Sequence, residues 1–479
     1  MVSDRFRWVF CQLDTLRRCM PSSIRKTLNE LPTTLDDTYE RTLQEIPKEK
    51  WQHAHRLLQC LTAASRPLRV EELAEIFTIE FDLETTPNLM EGWRPEDPQE
   101  AVLSACSTLI TIINNRVSKI VQFSHFSVKE FLTSDRLRTS KVGDIARYHF
   151  PLVAAHTILA GACLTVLLQF DENTDNNHLA RFPLASYAAQ HWVDHAKFED
   201  VAMRIEDAMK RLFDPNKPYL TAWTRIHNMD VDRVRVRETI GALTEHPMLP
   251  GATSLYHAAS CGFSQLAKHL IVKHAEDANA GCGYHGNALY AALYTGHVDT
   301  ARVLLDHGAD MNLKDRYGEI PLVAAYHRRN LEVMRLLLEL GASADVRYGP
   351  FGLLSHHTSY HGQAEVMQLL LEYEADVNAK ANGNWTPLYC ASREGHAKVV
   401  QLLLEYGADV NAQSTFQNTP LHGASEYGHL EVARILLEHG ADVRILGENG
   451  RTAFQVAERW GHAEIAQLLL EHGAETEEE

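Results

Sequence analysis

A leucine pair returns every 33 residues through the second half of this chain: Leu304-Leu305, Leu337-Leu338, Leu370-Leu371, Leu403-Leu404, Leu436-Leu437 and Leu469-Leu470. A loop glycine keeps nearly the same period at Gly262, Gly296, Gly362, Gly395, Gly428 and Gly461, with Arg329 at the skipped position. A third series closes each unit at Gly308, Gly341, Gly407, Gly440 and Gly473, interrupted by Glu374, with His274 in that place in the first unit. A unit of this length cannot bury its apolar faces alone, so the pattern requires a stack of like units that share one continuous core.

The chemistry of one unit is legible in its letters. Thr386 can cap a helix that starts at Pro387, where the missing N–H of proline costs nothing. Leu388, Ala391 and Ser392 form its inner face, and Gly395 ends it in a left-handed conformation. After His396, residues 397–406 carry Val399, Val400, Leu402, Leu403 and Leu404 as the apolar stripe of a second helix, which Gly407 terminates. Residues 408–412 lead into a hairpin. Thr419-Pro420-Leu421-His422 and Thr452-Ala453-Phe454 open two further units in the same way. Thr253-Ser254-Leu255, Asn287-Ala288-Leu289 and Ile320-Pro321-Leu322 are looser versions, and residues 351–355 are degraded. A non-glycine residue such as Glu374 in the left-handed position should cost about 1 kcal/mol.

The TPLH, GH, LL and GAD elements at this spacing closely resemble the ankyrin repeat family, over about 225 residues and about seven repeats. The resemblance implies a solenoid of helix pairs with projecting β-hairpin fingers, and protein binding through the fingers and the concave helix face. On that basis the finger candidates are Arg316, Tyr317, Asn382, Trp385, Thr415, Phe416, Glu448 and Asn449. The candidates at the ends of first helices are Tyr294, His327, Arg328, Tyr360, Arg393, Glu394, Glu426, Tyr427, Arg459 and Trp460. Exposed aromatics and arginines are the usual anchors of an interface, and each of these aromatics could equally pack on its neighbour.

Before residue 251 the period stops. Residues 6–20 and 24–31 read as helices, and Thr33-Thr34 starts a third. Residues 53–64 and 70–77 read as two more, separated by Ser65-Arg66-Pro67-Leu68. Residues 109–113 and 119–123 read as paired strands, with Asn114-Asn115-Arg116 as the turn. Short helices followed by a hairpin suggest a winged helix. The strings FRWVFCQLDTLRRC, LPTTLDDTYERTL, RPLRVEELAEIF and VQFSHFSVKEFL, with Tyr187-Ala188-Ala189-Gln190-His191-Trp192, resemble the region after the nucleotide-binding core in fungal NACHT–ankyrin proteins. That region ends in a winged helix of the GPI inositol-deacylase type. The resemblance implies a signal-transducing NTPase of the NLR-like STAND class, but the chain has no Gly-Lys dipeptide and so no phosphate-cradling P-loop. The nucleotide switch is therefore not carried over, and the chain is read as a remnant or as part of a longer protein.

The net charge of −17 argues against a general nucleic-acid binder, which needs a basic face, and the helix at 70–77 that could enter a groove is acidic. Eight scattered cysteines form no C-x-x-C pair, which favours buried, reduced thiols over zinc or disulfides. Residues 151–170 are apolar enough to raise a membrane span but read as a buried helix. His257, His297, His396, His422, His429 and His462 read as structural hydrogen-bonders. His356, His357 and His361 lack ligand partners for a metal, His191 and His195 lack a zincin glutamate, and Ser124-His125 lacks a third catalytic partner. The expected protein is mainly α. It comprises a helical module end at 1–50, a winged-helix region at 51–140, a helical linker at 141–248 and an ankyrin-repeat solenoid with an acidic tail at 249–479. The expected function is a cytoplasmic, non-catalytic scaffold or receptor fragment for a protein partner, with no cofactor, metal, nucleic acid or membrane. The alternatives are the regulatory half of an NTPase, associating with a separate nucleotide-binding domain, and a ubiquitin-ligase substrate adaptor.

Overall fold

The computed structural model describes residues 34–81, 87–115, 118–140, 144–235, 252–283, 285–315, 318–349 and 352–475; the helices expected at 6–20 and 24–31, and Arg316 and Tyr317, lie outside them. The chain falls into two units, one running through Asp277 with residues 281–283, the other comprising 278–280 and the chain from His285 onward.

In the first unit, α1 (Leu35–Gln44) is capped by Thr34, whose side chain accepts from the Asp37 N–H. The long α2 (Trp51–Ala63) buries Ala54, Leu57, Leu58 and Cys60. Next comes β1 (Leu68–Arg69), then α3 (Val70–Ile76), the small ladder of β2 (Ile79–Glu80) with β3 (Asn88–Leu89), and α4 (Pro98–Cys106). The hairpin of β4 (Ile110–Asn114) and β5 (Lys119–Phe123) is antiparallel, with Ile112 opposite Val121. Asn114 pairs with Lys119 inside the ladder, so the turn begins one residue later than the asparagine pair suggested. The strand β1 adds to β5 to make a three-stranded sheet, which the sequence reading of 65–68 as a separator did not foresee. Two short helices follow, α5 (Ser127–Leu132) and α6 (Asp135–Arg138).

The helix α3 is a packing element. Glu72 is fully buried and receives Arg66 at 2.8 Å, the Arg69 guanidinium at 2.8 Å and the Arg69 N–H at 2.7 Å. Glu75 is also buried and accepts the Leu184 N–H at 2.6 Å. Burial pushes the Glu75 carboxyl up to about 7, against the opposing pull of that N–H and of Arg94. A buried carboxylate left without such partners would cost several kcal/mol, which is why this acidic helix is sealed by arginines.

The apolar segment at 151–170 forms α7 (Leu152–Leu167), with residues 159–167 all buried. No helix among the described residues is long and apolar enough to cross a membrane. It is covered by α9 (Ala185–Ala196), which follows the short α8 (Asn176–Ala180), and by α10 (Val201–Arg204), α11 (Glu206–Leu212) and α12 (Tyr219–Arg235). Tyr187 on α9 takes the Ser65 N–H at 3.1 Å and faces His195 Nε2 at 2.8 Å. The first repeat, helices Ser254–Cys261 and Ser264–His274, packs in this unit: Trp192 stacks on Phe263 at 5.5 Å, and Trp223 lies 6.3 Å from the His257 ring.

The second unit holds six more helix pairs: Ala288–Thr295 with Val298–Asp306, Pro321–His327 with Leu331–Glu339, Leu354–Tyr360 with Ala364–Glu372, Pro387–Arg393 with Ala397–Glu405, Pro420–Tyr427 with Leu430–Glu438, and Ala453–Trp460 with Ala463–Glu471. With the first pair they make seven repeats, and the architecture is mainly α with a winged-helix region ahead of an ankyrin solenoid. Leu337, Leu370, Leu403, Leu436 and Leu469 are completely buried. Each such leucine contributes roughly 1.5–3 kcal/mol by leaving water. The left-handed closing position of the first repeat is Ala275 at φ 54°, one residue after the expected His274. Glu374 keeps that geometry at φ 62°.

Candidate partner-binding surface

Consecutive repeats are joined by two repeating hydrogen-bond devices. In the fingers, one side-chain amide or carboxylate oxygen accepts an N–H of the next repeat: Asn378 Oδ1 from Asp409 at 2.8 Å, Asn411 Oδ1 from Asp442 at 2.8 Å, and Asp345 Oδ1 from Asp376 at 3.1 Å. At the loop glycines, the histidine of the following repeat reaches back. His396 Nε2 donates to the Tyr360 carbonyl at 2.9 Å, His429 to Arg393 at 2.9 Å and His462 to Glu426 at 3.1 Å. The imidazole lies over the glycine, so a Cβ on Gly362, Gly395 or Gly428 would come within 2.5–2.6 Å of the ring. Glycine is needed there twice, for its positive φ and for this space.

The junction of repeats three and four breaks the pattern coherently. Arg329 stands in the glycine's place at φ 54°, and Gln363 stands where the next histidine would be. Tyr326 replaces the small residue found as Ser359, Ser392 and Ser425 in the next three repeats. Its hydroxyl donates to Gln363 Oε1 at 2.7 Å and lies 2.8 Å from His357 Nδ1. The hydroxyl proton is thus committed to Gln363, and His357 supplies the proton of the second bond. Burial, with His361 and His327 nearby, pushes the His357 imidazole down to about 4. Tyr348 occupies a finger position held by Ala381, Ser414 and Gly447 in later repeats. Its ring meets His357 edge-on at 4.5 Å and its hydroxyl lies 2.7 Å from His327 Nε2. The other His327 nitrogen is 3.2 Å from the Glu319 carboxylate. Of these groups Glu319, Tyr348 and His357 line a cleft of about 590 Å³, together with Lys314, Ile320, Val323, Val346 and Arg347.

The residues singled out from the sequence divide into groups. Arg328 lies over the Tyr294 ring at 4.6 Å, and the Tyr294 hydroxyl points to Asp315 at 3.3 Å. Arg393 lies between Trp385 and Tyr427, at 5.5 and 5.0 Å from their ring centres, and donates to the Tyr427 hydroxyl at 3.0 Å. Trp385 also stacks on Tyr389 at 5.7 Å, so it serves packing as well as any contact. Glu394 is half-buried and 3.8 Å from Arg393. Among these candidates Tyr360, Phe416, Tyr427 and Trp460 are exposed aromatics, at 43, 56, 45 and 58%. Asn382, Glu448, Asn449 and Arg459 are exposed, while Glu426 is half-buried. Exposed arginine or aromatic groups thus stand on repeats three, four, six and seven, while Trp385 and Arg393 of repeat five are half-buried.

Sequence reasoning passed over Lys314, Glu319, Tyr326, Arg347 and Tyr348. The signal was available: each tyrosine sits where the next three repeats hold a small residue. His356 turns out to be the TPLH histidine of its repeat, with Nε2 at 2.9 Å from the Trp385 carbonyl, as His422 Nε2 is 3.1 Å from that of Arg451. In the first repeat Tyr256 takes that position, over Gly283, and His257 faces Trp223 instead. No group of side chains among the described residues could hold a metal ion. Burial pushes the thiols of Cys60, Cys106 and Cys390 up to about 12.

Comparison with known families agrees with this geometry. Three copies of the ankyrin-repeat model match residues 255–348, 352–414 and 409–479. The winged helix domain of GPI inositol-deacylase matches residues 21–142. Ankyrin repeats and a GPI-inositol-deacylase-type winged helix domain are thus present in one chain. A curated relative, azaphilone pigments biosynthesis cluster protein L of Monascus ruber, is 31% identical over 295 residues, covering 58% of this chain; the match spans 60% of that relative's length. Among solved structures, the human ASB11 ankyrin repeat domain is 28% identical, with a TM-score of 0.37 over 47% of this chain and 99% of its own. The ankyrin repeat domain of Bcl-3, described as a member of the IkappaB protein family, is 28% identical, with a TM-score of 0.42 over 46% of this chain and 99% of its own. Ankyrin repeats support a protein–protein interaction role.

Proposed function

We propose that this protein is a non-catalytic receptor or scaffold that binds a protein partner through its ankyrin repeats, in intracellular signalling of the NLR-like kind. The observation that carries the reading is the set of exposed aromatics and arginines, Arg328, Tyr360, Phe416, Tyr427, Arg459 and Trp460, on a stack with a continuous buried leucine core. A rigid solenoid loses little conformational entropy on binding, so a few such anchors suffice. The winged helix of a NACHT-associated type supports a second reading. In it, the first unit answers to a nucleotide-binding domain, and the repeats sense the signal that domain transduces.

The test is affinity capture with the full chain, beside a variant carrying Phe416→Ala, Tyr427→Ala and Trp460→Ala. Both are first matched in helicity and melting. A protein identified in the parent capture and lost from the folded variant supports the reading. Equal capture by both would place recognition elsewhere, and co-purification of a P-loop protein by both would favour the second reading.

A further inference from the structure

The junction of repeats three and four is the place where the stack departs most from its own pattern, and the departures bond to one another. We propose that the cleft there is a pocket for one apolar side chain of an extended acidic peptide, with Lys314 and Arg347 at its rim holding carboxylates on either side of that side chain. The proposal rests on the reading of the repeats as a protein-binding surface.

The pocket's apolar wall is Ile320, Val323 and Val346; Val323 and Val346 are 4 and 9% exposed. Its volume of about 590 Å³ suits a large side chain with part of its backbone. Lys314 and Arg347 come from successive fingers and are both exposed; neither forms an ion pair with a described residue. The carboxylate in the lining, Glu319, is turned to His327. Tyr348 and His357 make the remaining wall polar but uncharged, because the His357 imidazole stays neutral near pH 7. Elsewhere the same unit is strongly acidic. Glu339, Glu372, Glu405, Glu438 and Glu471 stand exposed at the ends of successive second helices. In a chain of net charge −17, an acidic peptide is repelled from that row and finds complementary charge at this rim.

Fluorescence anisotropy on the full chain with three labelled heptapeptides tests the proposal. One has a central phenylalanine flanked by aspartate and glutamate, the second has glycine at the centre of the same acidic frame, and the third has phenylalanine flanked by lysine. The acidic phenylalanine peptide should bind roughly tenfold or more tightly than the other two. The double variant Lys314→Glu with Arg347→Glu, both at exposed positions, should lose that preference and favour the lysine-flanked peptide. Equal binding of all three, no binding, or an unchanged ranking in the double variant overturns the pocket. If the double variant still retains a partner that the Phe416, Tyr427 and Trp460 variant loses, the pocket is wrong while protein binding by the repeats stands. If the intact chain captures no partner and binds none of the peptides, both fail.

Discussion

Repeats five to seven and the junction of repeats three and four solve the same packing problem with different side chains. In the first, glycine and histidine cooperate: His429 and His462 lie over Gly395 and Gly428 and bond the carbonyl two residues before each glycine. In the second, an arginine at positive φ replaces glycine, and a Tyr326–Gln363 hydrogen bond replaces the imidazole bridge. The comparison teaches that a repeat array tolerates loss of its consensus where a compensating set arrives together. The compensating set places tyrosines, Tyr326 and Tyr348, where the next three repeats carry only serine, alanine or glycine.

The largest expected effect probes what the two regions share. Leu337→Ala and Leu403→Ala remove side chains that are equally buried. Each should cost about 2–5 kcal/mol in urea unfolding. A loss at Leu337 of well under 1 kcal/mol would show that the junction is loosely packed and not merely differently bonded.

Next comes the contrast at the loop position. Gly395→Ala sets a methyl against the His429 ring at positive φ, and should cost about 1–3 kcal/mol. Arg329→Gly faces no such ring and should be neutral or stabilising by up to about 1 kcal/mol. Equal destabilisation by both would mean that Arg329 makes a contact the junction needs. Replacing the two bridges separately sharpens this further. His429→Ala and Tyr326→Phe should each cost about 1 kcal/mol, the worth of one net hydrogen bond. A thermal melt that leaves Tyr326→Phe unchanged would break the idea of compensation.

The smallest effect is acid sensitivity at the junction. The His357 imidazole is held near 4, below its usual 6.5, so the unfolded chain binds the extra proton between those values. Stability should fall as pH drops from about 6.5 to 4, and level off below. The partial exposure of this side chain keeps its share small. His357→Gln should flatten that limb, measured as the unfolding midpoint against pH; an unchanged slope would show that the other buried histidines carry it. Glu75 acts with the opposite sign. With its carboxyl raised to about 7, it loses stability as pH rises from about 4.5 to 7.

The repeats were legible because a 33-residue period prints the core, the caps and the left-handed positions many times over. Where one copy only was available, the reading was weaker. The strand Leu68–Arg69 is two residues long, too short for alternation to show, and exists because β5 offers it an edge. Asparagines favour turns, so the sequence points to a turn from Asn114, while the ladder keeps Asn114 paired with Lys119. At the first repeat, counting from a weak copy placed the closing residue at His274 in place of Ala275. The cleft was passed over because departures from consensus in repeat four were read as decay. Only the fold shows that Tyr326, Tyr348, His327 and His357 converge.

The central claim is that the repeats are the recognition surface. The most direct measurement is hydrogen exchange on the full chain with and without its captured partner. Slowed exchange should appear in the first helices and fingers of repeats three to seven, including 318–328, 345–349 and 381–394. Protection confined to residues 34–212, with the repeats unchanged, would contradict it.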